Sequence, residues 1–265
     1  MTSIDVDAAK AQLQREGFAI IPGVLDAARC EDVRARLWRA AEESERRGAP
    51  TRNIGIDPNE HNVRVFNLLD LDPVFVELIQ YPLAIDLVTS LLGPGFLISN
   101  FTANIALPGS KSMKPHSDQS IVVPEPWLQP WSMNIIWCLN DLHAANGATL
   151  YLPKSHKIAW ARDAPADPRA GMQPFEAPAG SVIAMDGRVW HTSGANMTER
   201  EERALLFGYY SRDFIRPQSN WNAALSPTTI ASLSPQMRAW LGLGATANMS
   251  LAAPLAIHAR KEATS

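Results

Sequence analysis

In the first third of the chain, apolar residues recur three or four positions apart, which is the spacing of an amphipathic helix. The longest such segment follows Asp26, a residue suited to capping a helix N-terminus, and its apolar stripe includes Val33 and Leu37. Phe18 to Ile21 is predicted as a buried strand, and residues 48–62 as an exposed polar loop. Further helices are predicted from Asp7 to Arg15, after Pro73, from Pro82 to Gly93, and from Ser234 to Leu241.

From Phe96 the pattern changes to short runs rich in β-branched and aromatic residues, separated by turn-forming pairs such as Asn146-Gly147. Many short strands in one stretch are typical of a sandwich or barrel. We therefore expect a mainly β fold, a barrel or jelly roll, with helices packed on its outside. The predicted strands cover residues 96–107, 112–123, 132–140, 148–152, 181–186, 188–193 and 203–211. We expect one domain over residues 1–265, with a helical part (1–95), a β core (about 96–211) and a helical tail (212–265).

Composition narrows the function classes. The chain has 265 residues, of which 46% are hydrophobic, so it is expected to fold around a real core. The net charge of −3 comes with no basic face, which argues against a nucleic-acid partner. Cys30 and Cys138 are too few for a disulfide framework and suit a reducing cytoplasm, the compartment we expect. No apolar stretch is long enough to predict a membrane span.

The candidate chemistry begins at His116 and Asp118, which lie two residues apart in a predicted strand. Side chains at that spacing point to the same face, so both could bind one metal ion. Such a pair is weak evidence alone, because histidine and aspartate fall at this spacing by chance. A third ligand would come from His143, His156 or His191. His191 is the best candidate, because it lies on a predicted strand just past a glycine turn.

Two histidines and one carboxylate leave one face of a metal open, which suits a non-haem Fe(II) oxygenase. Arg203 opens the apolar run Ala204 to Tyr210. An arginine at the mouth of a buried strand is suited to clamping the carboxylate of an organic co-substrate.

Taken together and in this order, the motifs resemble those of the phytanoyl-CoA dioxygenase-like Fe(II)/2-oxoglutarate oxygenases. Each segment is loose alone, but the ordered set spans most of residues 17–211. The resembling segments are Gly17 to Gly23, His116 to Asp118, Asn146 to Leu150 leading to Pro153 through His156, and His191 to Asn196 followed by Arg203. Lys154 stands where family members often have glycine, a small departure.

The resemblance implies a double-stranded β-helix fold of the cupin type, with O₂ and 2-oxoglutarate as co-substrates. It implies that Fe(II) is held by His116, Asp118 and His191. It also implies that Arg203 pairs with the distal carboxylate of 2-oxoglutarate, with help from Ser193. Thr149 and Asn134 match positions that line the same pocket, and Arg64 lies where some relatives place a basic residue against the co-substrate. Related halogenases replace the carboxylate ligand by a small residue, so Asp118 favours hydroxylation, desaturation or epoxidation.

The residues that recognise the substrate are harder to predict from the sequence than the metal ligands. Trp127 and Trp131 lie among prolines directly after the metal pair, and are interpreted either as a stiff lid over an apolar substrate or as anchors of a loop. Further candidates for substrate contact are Arg212, Arg216 and Trp221. We expect a small, largely apolar substrate, such as a natural-product or lipid-like metabolite.

Two other functions fit parts of the pattern. One is a metal-dependent hydrolase, isomerase or epimerase on the same barrel without 2-oxoglutarate turnover. The other is a noncatalytic ligand-binding barrel, against which the intact set of metal ligands and Arg203 argues.

Overall fold

A computed structural model describes residues 4–244 and contains two antiparallel sheets. The larger sheet has six strands in the order β1-β7-β4-β9-β3-β2, and the smaller has three in the order β6-β5-β8. The strands are β1 (Phe18–Ile21), β2 (Asn62–Val65), β3 (Phe96–Ala106), β4 (Ser132–Cys138), β5 (Leu150–Tyr151), β6 (Gln173–Pro174), β7 (Val182–Asp186), β8 (His191–Thr192) and β9 (Arg203–Arg212).

The helices begin where the sequence supplies N-terminal caps. Asp26 accepts a hydrogen bond from the Arg29 amide at 2.7 Å, as predicted for the longest helix. The first helix is capped by Asp5 rather than by Asp7, which lies inside its first turn. The helices are α1 (Val6–Glu16), α2 (Ala27–Arg46), α3 (Pro73–Ile79), α4 (Pro82–Leu92), α5 (Asp118–Val122), α6 (Trp221–Ala224), α7 (Pro227–Ser232) and α8 (Pro235–Trp240). The predicted tail beyond Gly244 lies outside the described residues.

No single helix in the described part of the chain is long and apolar enough to cross a membrane. The helices α3 and α4 meet that test only when they are taken as a pair, which is bent by 43° at the break between them.

Two apolar layers hold the fold together. On the outer face of the large sheet, strand residues such as Phe101 pack with Leu37 of α2 and Leu87 of α4. On the inner face, Ile183 and Leu205 pack with Phe175, which lies directly after β6 of the small sheet. This arrangement confirms the predicted mainly β, jelly-roll fold with peripheral helices. The sheets of the described residues do not close into a barrel.

The predicted strand over residues 112–123 is wrong. His116 makes only an isolated bridge with His191, and α5 begins two residues later at Asp118. The chain changes direction because Ser117 caps α5, its hydroxyl accepting from the Ser120 amide. The sequence also gave no indication of β2, which pairs with β3 at the sheet edge just beyond the predicted polar loop.

A β-bulge in β3 positions the site described below. The register between β3 and β9 shifts between Ile98 and Asn100, leaving Ser99 as the extra residue. Before Ser99, the even-numbered residues Phe96 and Ile98 pack on the helices, whereas beyond it the odd-numbered residues do so. The bulge therefore turns the even-numbered polar residues from Asn100 onward toward the inner face of the sheet.

Gly180 lies where the outer apolar layer is tightly packed, so a substitution there measures the cost of overpacking. An added Cβ would lie 2.0 Å from the Leu25 carbonyl oxygen, and the residue has a φ of +81°. Gly23 has a similar φ of +70° but open space around the same position. We expect Gly180→Ala to lower the free energy of unfolding by about 1–3 kcal/mol more than Gly23→Ala, because overpacking adds to the shared backbone cost. Equal losses in urea unfolding would contradict this account of the packing.

Candidate active site

A cavity of about 170 Å³ lies against the inner face of the large sheet. It brings together eight residues singled out in the sequence: Arg64, His116, Asp118, Asn134, Thr149, His191, Ser193 and Arg203. Seven further residues complete the lining: Asn100, Thr102, Asn104, Met113, Phe207, Tyr209 and Gln218.

Three side chains in this cavity could hold one metal ion. The ligand atoms of His116, Asp118 and His191 all lie within 4.8 Å of one another. One Asp118 oxygen is 3.6 Å from His116 Nε2, and the other is 3.8 Å from His191 Nε2. The other two candidate ligands lie elsewhere: His143 contacts Glu201 at 2.7 Å, and His156 packs beneath Gly17.

Backbone hydrogen bonds bring the two histidines together. The His116 amide donates to the His191 carbonyl at 2.9 Å, and the His191 amide returns the bond at 2.8 Å. The imidazole centroids consequently lie 4.5 Å apart. Asp118 reaches the same point from the first turn of α5, which is tied to Gly187 through the Ser117 hydroxyl at 3.0 Å. The ligand pair thus comes from a bridge followed by a helix start.

Main-chain carbonyls fix the orientation of both imidazoles. His116 Nδ1 lies 2.9 Å from the Lys114 carbonyl oxygen, and His191 Nδ1 lies 3.0 Å from that of Val189. Each Nδ1–H donates to its carbonyl, which leaves the Nε2 lone pair directed at the cavity. Burial lowers the pKa of His191, favouring the neutral imidazole that a metal requires.

The Asp118 carboxylate is held by the large sheet. Asn134, on the inner face of β4, donates its side-chain amide to Asp118 Oδ2. The Tyr209 hydroxyl also approaches the main-chain carbonyl oxygen of Asp118 at 3.4 Å. A hydrogen-bonded carboxylate keeps one orientation, as metal-binding carboxylates generally do.

Arg203 is a buried cation at the same cavity, with only 1% of its surface exposed. Its Nε donates to the Gly147 carbonyl at 3.1 Å, and Nη1 approaches the Asn104 carbonyl at 3.4 Å. Within residues 4–244 it forms no ion pair. Burial lowers its pKa to about 10, so the guanidinium is charged at neutral pH. A buried charge without a counterion is costly, and an anionic ligand in the cavity would relieve that cost.

Arg64 is electrostatically different from Arg203, although both line the cavity. Arg64 Nε and Nη2 donate to the two Asp57 oxygens at 2.8 and 2.7 Å, and Asp57 itself is 2% exposed. This bidentate pair neutralises Arg64. The unbalanced positive charge of this region therefore belongs to Arg203.

Ser193 and Asn104 offer hydrogen bonds beside Arg203. Ser193 Oγ accepts from the Met113 amide at 3.0 Å, which leaves its hydroxyl proton for another partner. Asn104 is buried, and its side-chain amide nitrogen has no partner among the described residues. Asn104 was not predicted from the sequence, although the polar residues 100, 102 and 104 alternate along a predicted strand. Asp57 was not predicted either, because its pairing depends on how a loop folds back.

The residues proposed for substrate contact are not in this cavity lining. Trp127 is buried and its indole donates to the Val123 carbonyl at 2.7 Å, so it anchors the loop. Trp221 is also buried, with its indole bound to the Ile98 carbonyl at 2.7 Å. The remaining three also lie outside the lining: Trp131 packs edge-on against Phe214, Arg212 ends β9 and Arg216 is exposed. The structure gives the lid interpretation no support.

A jelly roll that carries a His-Asp-His cluster beside a buried, unpaired arginine is typical of the non-haem iron oxygenases that use 2-oxoglutarate. The chain belongs to the phytanoyl-CoA dioxygenase (PhyH) family, whose sequence profile matches residues 13–204. It is therefore a dioxygenase, with Fe(II) and 2-oxoglutarate as its cofactor and co-substrate. The residues present fit both, since the cluster supplies nitrogen and carboxylate ligands and Arg203 supplies the cation.

Named relatives agree with this class. "Dioxygenase af480" of Aspergillus fumigatus is 48% identical over 241 residues, covering 91% of this chain and 78% of that protein. "Dioxygenase cdmA" of Talaromyces verruculosus is 22% identical over 241 residues, covering 87% of this chain and 80% of that protein.

Solved structures share the fold. The alpha ketoglutarate dependent epimerase SnoN from nogalamycin biosynthesis has a TM-score of 0.60 and 19% identity, covering 81% of this chain and 86% of its own. A complex of SnoN with Fe3+, alpha ketoglutarate and nogalamycin RO has a TM-score of 0.61 at 19% identity, covering 81% of this chain and 87% of its own.

The Asn134 contact generates a prediction about metal affinity. Asn134→Leu removes the amide that orients Asp118, and we expect Fe(II) affinity to fall by roughly 10–100-fold, the usual effect of losing such a partner. Anaerobic Fe(II) titration would measure the loss. Asn222→Leu, on the exposed side of α6, is the matched control and should leave the affinity unchanged. Unaltered affinity in the Asn134 variant would contradict an orienting role.

Proposed function

We propose that His116, Asp118 and His191 bind Fe(II), and that Arg203 binds the distal carboxylate of 2-oxoglutarate with Ser193 as a second donor. The observation that carries this proposal is the buried Arg203 charge, which has no ion-pair partner in residues 4–244 and lies in the cavity that holds the metal cluster. Iron with 2-oxoglutarate and O₂ supplies an oxidant able to break a C–H bond, with succinate and CO₂ as co-products.

The protein's own residues position and isolate this chemistry. The carbonyls of Lys114 and Val189 keep both imidazoles in the tautomer that presents Nε2. Asn134 keeps Asp118 turned toward them. Arg203 fixes the far end of the co-substrate by charge, and the buried Asn104 amide can donate to the same molecule. Such prior organisation lowers the ordering cost that binding would otherwise carry.

The reaction proposed is hydroxylation of a small organic molecule, with desaturation or epoxidation as outcomes of the same C–H chemistry. Asp118 supports this choice, because it retains the carboxylate ligand that halogenating relatives replace. Phe207 and Met113 give part of the cavity an apolar wall, suited to a carbon skeleton. SnoN has been solved with nogalamycin RO, which supports a natural-product type of substrate.

The test is co-substrate binding to the Fe(II)-loaded protein without O₂, followed by O₂ addition and succinate detection. We expect wild type to bind 2-oxoglutarate and form succinate slowly. Arg203→Gln should weaken 2-oxoglutarate binding by roughly 100-fold or more, since a charge-assisted bidentate contact is lost, while Fe(II) still binds. His191→Ala should lose Fe(II) binding and succinate formation together.

The matched control is Arg39→Gln, an exposed arginine on α2 that lies outside the cavity. It should behave as wild type in both assays. Failure of iron-loaded wild type to bind 2-oxoglutarate would refute the proposal and favour a metal-dependent isomerase, hydrolase or binding barrel.

A further inference from the structure

One side of the cavity carries a polar row along β3. Asn100, Thr102 and Asn104 alternate along the strand and all line the cavity, because the bulge at Ser99 turned them inward. Gln218, from the segment after β9, joins the row at its outer end and is exposed. The neighbouring strand β9 contributes Phe207 and Tyr209 to the same lining. A bound molecule would therefore meet a polar edge on one side and aromatic surface on the other.

Gln218 is fixed in place even though it is exposed. Its backbone amide donates to Ser99 Oγ at 3.0 Å, and the Ser219 amide donates to the Ser99 carbonyl at 2.9 Å. The Trp221 indole bond to Ile98 anchors the same segment from beneath. We call Asn100 and Gln218 the outer pair. The bulge at Ser99 positions both of them, because it turns Asn100 inward and Ser99 hydrogen-bonds the segment that carries Gln218.

The side-chain amides of Asn100 and Gln218 together offer a bound molecule one hydrogen-bond donor and one acceptor. Asn100 Nδ2 donates to Gln218 Oε1 at 3.2 Å. That bond leaves Asn100 Oδ1 as an acceptor and Gln218 Nε2 as a donor, neither with a further hydrogen bond to the described protein. A hydroxyl group both donates and accepts, so it matches this pair at both atoms, whereas a ketone matches only the donor.

The register across the sheet gives the distance from the reaction centre. Asn100 lies opposite Tyr209, and Tyr209 lies opposite Asn134, which holds Asp118. Two strand spacings separate Asn100 from Asn134, or about 10 Å. That span suits a molecule of one or two rings with one end at the amide pair and the other near the metal.

The charged side chains that line the cavity make their hydrogen bonds to groups other than Asn100 and Gln218. Arg64 is neutralised by Asp57, Arg203 donates to the Gly147 and Asn104 carbonyls, and Asp118 accepts from Asn134. The outer amides themselves carry no charge. A neutral group is therefore favoured there over a carboxylate or an amine.

We propose that Asn100 and Gln218 are specificity-determining residues that recognise a hydroxyl group on the substrate of this dioxygenase. The inference rests on the proposed function, because it names the substrate class of the same cavity. It refines the expectation of a largely apolar substrate to that of a neutral alcohol with a hydrocarbon skeleton.

Ligand-observed NMR on protein loaded with Zn(II) and 2-oxoglutarate tests this without turnover. The probes are 2-indanol, 2-indanone, indane and indane-2-carboxylate, which share one skeleton. We expect 2-indanol to bind most tightly. In Gln218→Leu and in Asn100→Leu its affinity should fall about tenfold while that of indane is unchanged, since each variant removes one neutral hydrogen bond.

Gln236→Leu, an exposed position on α8, is the matched control and should bind all four probes as wild type does. Three results would overturn the inference: no 2-indanol binding, equal or tighter binding of 2-indanone, indane or the carboxylate, or unchanged 2-indanol affinity in both variants. The 2-oxoglutarate signals in the same samples separate the two proposals. If 2-oxoglutarate itself fails to bind wild type, the proposed function falls and this inference falls with it.

Discussion

The buried charge of Arg203 is the constraint on which the rest of the site depends. Folding places this guanidinium at the start of β9, inside the jelly roll, where its hydrogen bonds within residues 4–244 go to the Gly147 and Asn104 carbonyls. Two neutral carbonyls replace hydration incompletely, so burying this charge carries an electrostatic cost. Asp57, the nearby buried acid, is committed to Arg64. A dianionic co-substrate bound as we propose would offset the cost of burying Arg203, so the fold would trade some stability for affinity.

The positions of the three candidate metal-binding side chains depend on main-chain geometry more than on side-chain packing. Two reciprocal main-chain hydrogen bonds place His116 beside His191, and carbonyls two residues before each histidine set the imidazole tautomers. The paired main-chain groups fix where each imidazole starts, and the three ligand atoms consequently lie within 4.8 Å of one another. The carboxylate alone depends on a side chain, Asn134, from the opposite sheet.

Much of this arrangement could be predicted from the sequence, because it depends on local patterns. The caps at Asp26 and Ser234, the prolines that begin α3 and α4, and most β strands follow from short-range chemistry. The candidate metal ligands and Arg203 could likewise be predicted, from their residue types and their order along the chain. His116 and Asp118 do not share a strand face, however, as was predicted. They converge through a bridge and a helix start, because Ser117 ends the extended segment.

What the sequence did not reveal depends on long-range pairing. Asp57 matters only because its loop folds back onto Arg64, and Asn104 only because the register of β3 turns it inward. The tryptophans posed a different question. Aromatic residues in a proline-rich loop can face a ligand or the core, and Trp127 is buried, as is Trp221 at the start of α6. Composition alone cannot distinguish these two roles.

The bulge at Ser99 separates the two tasks of the cavity. The residues proposed for metal and co-substrate lie on the His116–His191 bridge, at the start of α5 and at the start of β9. The outer amides lie on β3 and on the segment after β9, which Ser99 holds together. We therefore expect a change at Asn100 or Gln218 to alter which molecule is held without moving a proposed metal ligand. In this chain, substrate choice would then depend on segments outside those that carry the reaction chemistry, as is usual where one scaffold supports several functions.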